Sequence, residues 1–253
     1  MLIGLYGHGY IGSAIARELE NQGANYVWLS HRDKPVGDVI INAAGYTGTP
    51  NVDACESHKE ECIDGNILWP LRLQKQHREI IHIGSGCIYT DGSYGEEDKP
   101  NFKGSFYSLC KALGQEALEP LLYHSYLLRV RMPFSGIHHQ KNLFDKLAKY
   151  PRLVNHTNSM TCLEDIARIA IWFAKNQPAP GVYNVANPGF VTTRYLADVL
   201  GITPEWFTEE EFLASVAAPR SKCILNVDKL HAVYRLPDIE TAVLNAAFRW
   251  RRS

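Results

Sequence analysis

The opening of this chain constrains its fold more than any other stretch. Leu2 to Tyr6 is an apolar strand, and Gly7-His8-Gly9-Tyr10-Ile11-Gly12 follows it without a gap. A helix with apolar Ile11, Ala14, Ile15 and Leu19 then runs to about Gln22, where Gly23 stops it. Gly-x-Gly-x-x-Gly alone is a weak pattern, and its bland reading is a tight turn that uses glycines for packing. Between a strand and a helix, the same glycines let a pyrophosphate approach the helix N-terminus. The context favours a dinucleotide loop and, with it, a parallel α/β sheet.

Length and composition are compatible with that start. The 253 residues suit one α/β domain with an appended lobe. Basic and acidic residues nearly cancel (26 against 27), and no basic run points to nucleic acid or an anionic membrane. No apolar run reaches membrane-spanning length; Ile166 to Ala174 is interrupted by Arg168. The chain starts with a strand rather than a charged leader, and its six cysteines lack C-x-x-C spacing. The expectation is a soluble cytoplasmic protein with free thiols. No His, Cys or acidic cluster has ligand spacing, so no metal site is expected.

Asn25 to Ser30 reads as the second strand, and the residues that end it bear on cofactor choice. Ser30-His31-Arg32 stands where an acidic residue would meet a ribose hydroxyl. Arg32 suits a 2′-phosphate and favours NADPH, although the same Arg in a solvated loop is ordinary and Asp33 follows closely. The next strand, Asp38 to Asn42, begins after only about eight residues, too few for a crossover helix. The sheet is therefore trimmed there, which opens the adenine side and leaves NADH as an option. Ala43, Ala44 and Gly45 end that strand with small residues that allow a close cofactor approach. Asn51 to His58 reads as a helix start, and a second helix from about Glu61 to His77 carries Asn66 inside it.

Residues 79–117 hold the candidate chemistry. Ile80 to Ile83 is a short buried strand that stops at a Gly-Ser-Gly turn and delivers Ser85 and Cys87. A helix from about Ser105 presents Tyr107 and Lys111 one turn apart on one face. Ser, Tyr and Lys form a proton-handling set for a ketone: the ammonium is expected to lower the phenol, and the hydroxyl holds a carbonyl oxygen. A Tyr-x-x-x-Lys match is weak by itself and gains weight from the glycine-rich start. Cys87 reads either as an inert buried thiol or as an acid/base.

Beyond this point Ser125 to Val130 is another strand, and Arg131-Met132-Pro133 leaves it toward the substrate side. Helices are expected at Asn142 to Tyr150, Leu163 to Lys175, Thr192 to Leu200, Glu209 to Ala217 and Asp238 to Trp250, with a strand at Gly181 to Val185. Residues 1–133, with 157–187 returning to them, form the expected cofactor domain. Residues 134–156 and 188–253 form the expected smaller lobe.

The motifs GHGYIG, NAAGYTGTPNVDACESHKEECIDGN, GSGCIYTDG, EEDKPNFKGSFYSLCKA, LLRVRMP, NSMTCLEDIA, GVYNVANPG and APRS follow in that order. They resemble the extended short-chain dehydrogenase/reductase superfamily, a Rossmann-type doubly wound parallel sheet with a smaller C-terminal lobe for the substrate. Within it the chain is most similar to the bifunctional 3,5-epimerase/4-reductases that act on UDP-4-keto-6-deoxyglucose in plant-type and large-virus UDP-rhamnose synthesis. The dTDP-4-dehydrorhamnose reductases and GDP-fucose synthase are more distant relatives. The resemblance implies a UDP- or dTDP-linked 4-keto-6-deoxyhexose as substrate.

The resemblance also implies residue roles. Ser85, Tyr107 and Lys111 fall on the catalytic Ser/Thr, Tyr and Lys. Cys87 and Lys146 fall on the two epimerase acid/bases, with His138 and His139 as neighbouring alternatives to Lys146. Gly7, His8, Gly9, Tyr10, Ile11 and Gly12 fall on the cofactor loop, which is one residue shorter than the usual pattern. Arg32, Ala43, Ala44, Gly45 and Asn66 complete the expected cofactor contacts, together with Tyr107 and Lys111. Asn142 and Arg220 are the expected substrate contacts, Arg220 at the nucleotide diphosphate. A reductase without epimerase activity, or a non-catalytic NAD(P)-binding regulator, would share the fold. Whether two copies pair through the long helices stays open.

Overall fold

A computed structural model describes all 253 residues. Six strands form the main sheet: β1 (Leu2–Tyr6), β2 (Asn25–Leu29), β3 (Val39–Asn42), β4 (Ile80–Ser85), β5 (Tyr126–Val130) and β6 (Gly181–Val185). Their spatial order is β2-β1-β3-β4-β5-β6, and every pairing is parallel. All six carboxyl ends therefore lie along one edge. Since β2 and β3 flank β1, the strand order reverses there, which is where open α/β sheets bind ligands.

Alternating side chains of these strands supply two faces. Ile3, Leu5, Val39, Ile41, Ile81, Ile83 and Leu128 pack against α1 (Tyr10–Asn21) and the amphipathic helix Leu163–Asn176. Tyr6, Ile40, Ile80, Leu127 and Val182 face the other way, toward Trp69, Leu73 and Leu118 of helices Trp69–Gln76 and Phe106–Leu118. Burial on both faces explains why the strands read as unbroken apolar runs.

A separate core of 14 buried residues, among them Phe134, Phe144, Leu147, Leu196, Ile239 and Val243, lies in the segments that follow β5 and β6. Helices Leu143–Lys149, Thr193–Leu200 and Ile239–Trp250 supply most of it. The helix starts carry readable caps: the side chains of Ser105, Asn142, Thr192 and Asp238 each accept from a backbone N–H of the first turn. All six cysteines are free thiols. No helix is long and apolar enough to cross a membrane.

Three local features depart from, or sharpen, the sequence expectation. The β2–β3 connection carries no helix and instead lies across β1 at Gly4, where a Cβ would sit 2.4 Å from the Val36 carbonyl oxygen. Residues Val52–Glu56 form a 3₁₀ turn rather than an α-helix, because the Asn51 side chain accepts from Asp53 N and closes the turn early. The helix expected over 61–77 is interrupted by a π-helical turn, Asp64–Leu68, which carries Gly65 and Asn66. Helix Phe106–Leu118 rests on that turn through Gly114, where a Cβ would lie 2.2 Å from the Asn66 carbonyl oxygen.

The glycine loop after β1 is set by two close approaches. Gly7 has φ +98°, and a Cβ on Gly12 would stand 1.7 Å from the Gly7 carbonyl oxygen. A Cβ on Gly9 would meet no other group within 4 Å. Gly12→Ala is thus expected to cost about 1–3 kcal/mol, whereas Gly9→Ala stays within about 0.5 kcal/mol of the natural chain. Urea unfolding of the two variants separates a packing glycine from one that only leaves room.

Candidate active site

The cofactor elements converge at the carboxyl ends of β1 and β3. Helix α1 begins at Gly9 with no side-chain cap and no acidic residue in its first turn, so its free N–H groups open onto the space beside Gly9. That arrangement fits a diphosphate. Ala43 and Ala44 press against Gly7, where a Cβ would lie 2.5 Å from Ala43 C and Ala44 N. Ile11 packs on the main core, while His8 stacks on Trp28 (3.9 Å) and Tyr10 on His139 (4.6 Å). Arg32 is exposed, with no carboxylate within ion-pair distance of its guanidinium. The neighbouring Asp33 carboxylate is turned back onto Ser30 N, at 2.6 Å. Arg32 is therefore the free charge at the end of β2.

Ser85 is the last residue of β4, and its Oγ accepts from Cys87 N at 3.1 Å. Tyr107 and Lys111 lie on α-helix Phe106–Leu118, which the Ser105 cap starts. Burial raises the Tyr107 phenol above its ordinary value, with the charge of Cys87 acting in the same direction and the Ser85 hydroxyl opposing it. This corrects the expectation that Lys111 lowers the phenol: burial dominates both groups, and it brings the Lys111 ammonium itself down to about 8. Tyr107 is consequently a firm proton donor at neutral pH.

Lys111 Nζ and Asn66 Oδ1 both lie 3.2 Å from where a Gly45 Cβ would be, so the three residues converge because Gly45 has no side chain. Asn66 is placed by the π-helical turn, and its Nδ2 donates to the Tyr46 carbonyl oxygen (2.8 Å) and to Cys62 Sγ (3.4 Å). Its Oδ1 is buried without a partner beside a cavity of about 30 Å³ lined by Ser85, Lys111, Gln115 and His82. The cavity has room for about one water. Burial holds His82 down at about 3, so it faces this space as a neutral ring.

Across from this set, Cys87 is half-buried at the turn after β4, and Arg131 Nη1 donates to its Sγ at 3.2 Å. Lys146, on helix Leu143–Lys149, is half-buried with no side-chain partner. Burial and the positive charges of Lys141 and Arg220 hold its ammonium below the ordinary lysine value. His138 pairs with Asp145, and His139 lies against Tyr10, so neither alternative has the free position of Lys146. Arg220 forks onto Asp53 at 2.8 and 2.9 Å.

Asn142 requires a correction. It is fully buried; its Oδ1 accepts from Ser135 N and Phe144 N, and its Nδ2 donates to the carbonyls of Ser135 and Ile137. Those four bonds use the whole capacity of the amide, so Asn142 shapes the segment that bears Lys146 and leaves nothing for a substrate. Sequence reasoning put Arg131 on the substrate side without giving it a role, and it missed Asp53 and Lys141, whose Nζ donates to Thr47 Oγ1 at 2.7 Å. The signal available for Arg131 was its place in RVRMP, directly after a buried strand. No group of three His, Cys, Asp or Glu side chains is arranged to hold a metal ion.

The Lys111 shift has a consequence for stability. Burial disfavours its charged form, so between about 8 and 10.5 the folded chain binds fewer protons there than the unfolded chain. The charge destabilises the fold below that window, and the penalty disappears as pH rises through it. Lys111→Met is expected to gain about 1–3 kcal/mol at pH 7, with the gain shrinking toward pH 10. Urea denaturation at the two pH values checks this.

No family model matches the chain. The bifunctional dTDP-4-dehydrorhamnose 3,5-epimerase/dTDP-4-dehydrorhamnose reductase of Arabidopsis thaliana is 36% identical over 278 residues, covering 96% of this chain and 91% of the plant protein. A trifunctional UDP-glucose 4,6-dehydratase/UDP-4-keto-6-deoxy-D-glucose 3,5-epimerase/UDP-4-keto-L-rhamnose-reductase of the same plant is 34% identical across 96% of this chain, which spans 41% of that longer protein. Among solved structures, the UDP-rhamnose synthase of Acanthamoeba polyphaga mimivirus superposes with a TM-score of 0.92 at 27% identity, covering 98% of this chain and 99% of its own. A dTDP-4-dehydrorhamnose reductase of Bacillus anthracis in complex with NADP shares the fold, with a TM-score of 0.79 at 16% identity over 98% of each chain. With over a third of its residues shared along nearly its whole length, the chain belongs to the epimerase/reductase enzymes of nucleotide-rhamnose synthesis, built on the extended short-chain dehydrogenase/reductase fold.

Proposed function

We propose that the chain converts a UDP- or dTDP-linked 4-keto-6-deoxyglucose to the corresponding L-rhamnose by inverting C3 and C5 and then reducing C4. One observation carries the reading: the half-buried Cys87 thiol stands beside the Ser85/Tyr107/Lys111 set, while Lys146 is kept partly desolvated and unpaired. A plain reductase has no use for the second pair. Residues 1–133 and 157–187 serve the cofactor, and the separate core after β5 supports the assignment of 134–156 and 188–253 to the sugar nucleotide.

The C4 ketone acidifies the hydrogens on C3 and C5. Cys87 takes a proton from one face of the ring, and Lys146, whose ammonium is weakened by burial and neighbouring charge, returns one on the other. Ser85 and Tyr107 donate to the enolate oxygen that forms each time. Because burial keeps Tyr107 a phenol, it persists as a donor through both inversions and then protonates the C4 oxygen. Lys111 stands behind it and holds the charge balance. NADPH, when bound, supplies the hydride received by C4. The free Arg32, with Asp33 turned away, supports NADPH over NADH. Arg220 meets the diphosphate with the edge that Asp53 leaves exposed.

Deuterium incorporation tests the proposal. In D₂O without reduced cofactor, the protein should exchange C3 and C5 of UDP-4-keto-6-deoxyglucose, followed by NMR. Cys87→Ala should slow that exchange about 10²–10⁴-fold, while NADPH-dependent reduction of a pre-epimerised substrate persists. Exchange no faster than the enzyme-free background would reduce the protein to a 4-reductase.

A further inference from the structure

Arg131 is buried beside the site, at 1% exposure, and no carboxylate lies within ion-pair distance of it. Its Nη2 donates to Asn158 Oδ1 and to the Ser221 carbonyl oxygen (2.8 Å). Its Nη1 is shared among the Gly86 carbonyl oxygen (3.4 Å), Ser221 Oγ (3.3 Å) and Cys87 Sγ (3.2 Å). Nε is buried with no partner at all. Every oxygen in this cradle is neutral. A guanidinium taken out of water without an anion is strongly unfavourable, and a charge that forms beside it in use offsets that cost. Among the groups Arg131 touches, only Cys87 can become an anion.

We propose that Arg131 is the positioning residue for the reactive sulfur: its buried guanidinium, which donates to Cys87 Sγ, is the counter-ion for the charge the sulfur carries when it acts as a base on the sugar. The proposal rests on the epimerase reading above and adds a residue to it. On ionising, the thiol releases its proton to solvent, and the pair becomes neutral as a whole. The other titratable groups that face Cys87 are Tyr107 and Lys111 from helix Phe106–Leu118 and Cys223 from the smaller lobe. Lys111 adds positive charge near the sulfur. Tyr107, raised by burial and by the Cys87 charge, stays protonated while the thiolate exists, so the two groups do not compete as anions. Arg131 stands directly after β5 and reaches across the turn that follows β4, so the parallel register fixes the sulfur against the guanidinium.

The test reads the sulfur directly. The rate of Cys87 alkylation by iodoacetamide is followed against pH by peptide mass spectrometry in the cofactor-free protein. The other five cysteines are buried, and Cys87→Ala gives the background. Arg131→Met should slow alkylation at pH 7 about tenfold or more and move the profile to higher pH, and Arg131→Lys should restore most of the rate. Asn158→Asp, nearly isosteric, puts a carboxylate on Nη2 and should slow alkylation in the same direction without emptying the space, which guards against a Met variant that fails to fold. C3 and C5 exchange should fall in parallel, with reduction of the pre-epimerised substrate retained. A folded Arg131→Met or Asn158→Asp protein whose alkylation profile matches the natural one would overturn the proposal. If the natural protein exchanges no deuterium while its alkylation depends on Arg131, the epimerase reading falls and the ion pair stands.

Discussion

The site depends on positive charge held inside the protein with very little negative charge to match it. Lys111, Arg131, Lys141, Lys146 and Arg220 cluster at the candidate site, and Asp53 is the one carboxylate that engages any of them. Such an arrangement opposes folding, because desolvated cations are costly without partners. It is tolerated because the two large cores lie elsewhere, on the faces of the sheet and among the helices after β5. Under the proposed function, that excess positive charge is matched by anions that arrive or form during turnover, the substrate diphosphate and the enolate.

The parallel sheet turns that electrostatic plan into geometry. Ser85 ends β4 opposite Val130, so Cys87 and Arg131 leave neighbouring strands side by side. Helix Phe106–Leu118 crosses the same edge and brings Tyr107 and Lys111 down onto it, held by its seat on the π-helical turn. The cofactor loop enters from β1, on the far side of β3. Ser85 therefore hangs from the end of a rigid strand, and Tyr107, Lys111 and Lys146 from helices with side-chain caps, whereas Lys141 and Arg220 sit on connecting segments.

What the sequence made legible was whatever local pattern decides. The glycine loop, the strand ends, the helix starts near Ser105 and Asp238, and the helix-free crossover all follow from a few adjacent residues. What it hid was burial and partnership. Arg131 looks like any surface arginine until tertiary packing removes its water. Asn142 looks the same as a cap and as a ligand; only its saturated amide distinguishes them. Cys110 lies some distance along the chain from Cys55 and Cys62, yet the three meet in one small core, next to Tyr107. The expected influence of Lys111 on Tyr107 failed for the same reason, since desolvation is a property of the fold and not of spacing along a helix.

The π-helical turn at Asp64–Leu68 has an implication for how this chain can change over time. A π-turn holds one more residue than the α-helical ladder requires, and it sits where the helix looks otherwise ordinary. Deleting a single residue there would let the helix heal into regular hydrogen bonding, at no cost to its length or amphipathic face. It would leave the phase of the following helix nearly unchanged but remove the widened turn that holds Asn66 against Tyr46 and Cys62. Substitutions on the outer surface of this helix leave that turn in place, whereas loss of its extra residue does not. The segment is thus more permissive to point change on its outer face than to loss of one residue, an asymmetry invisible in composition and set by the width of a single turn.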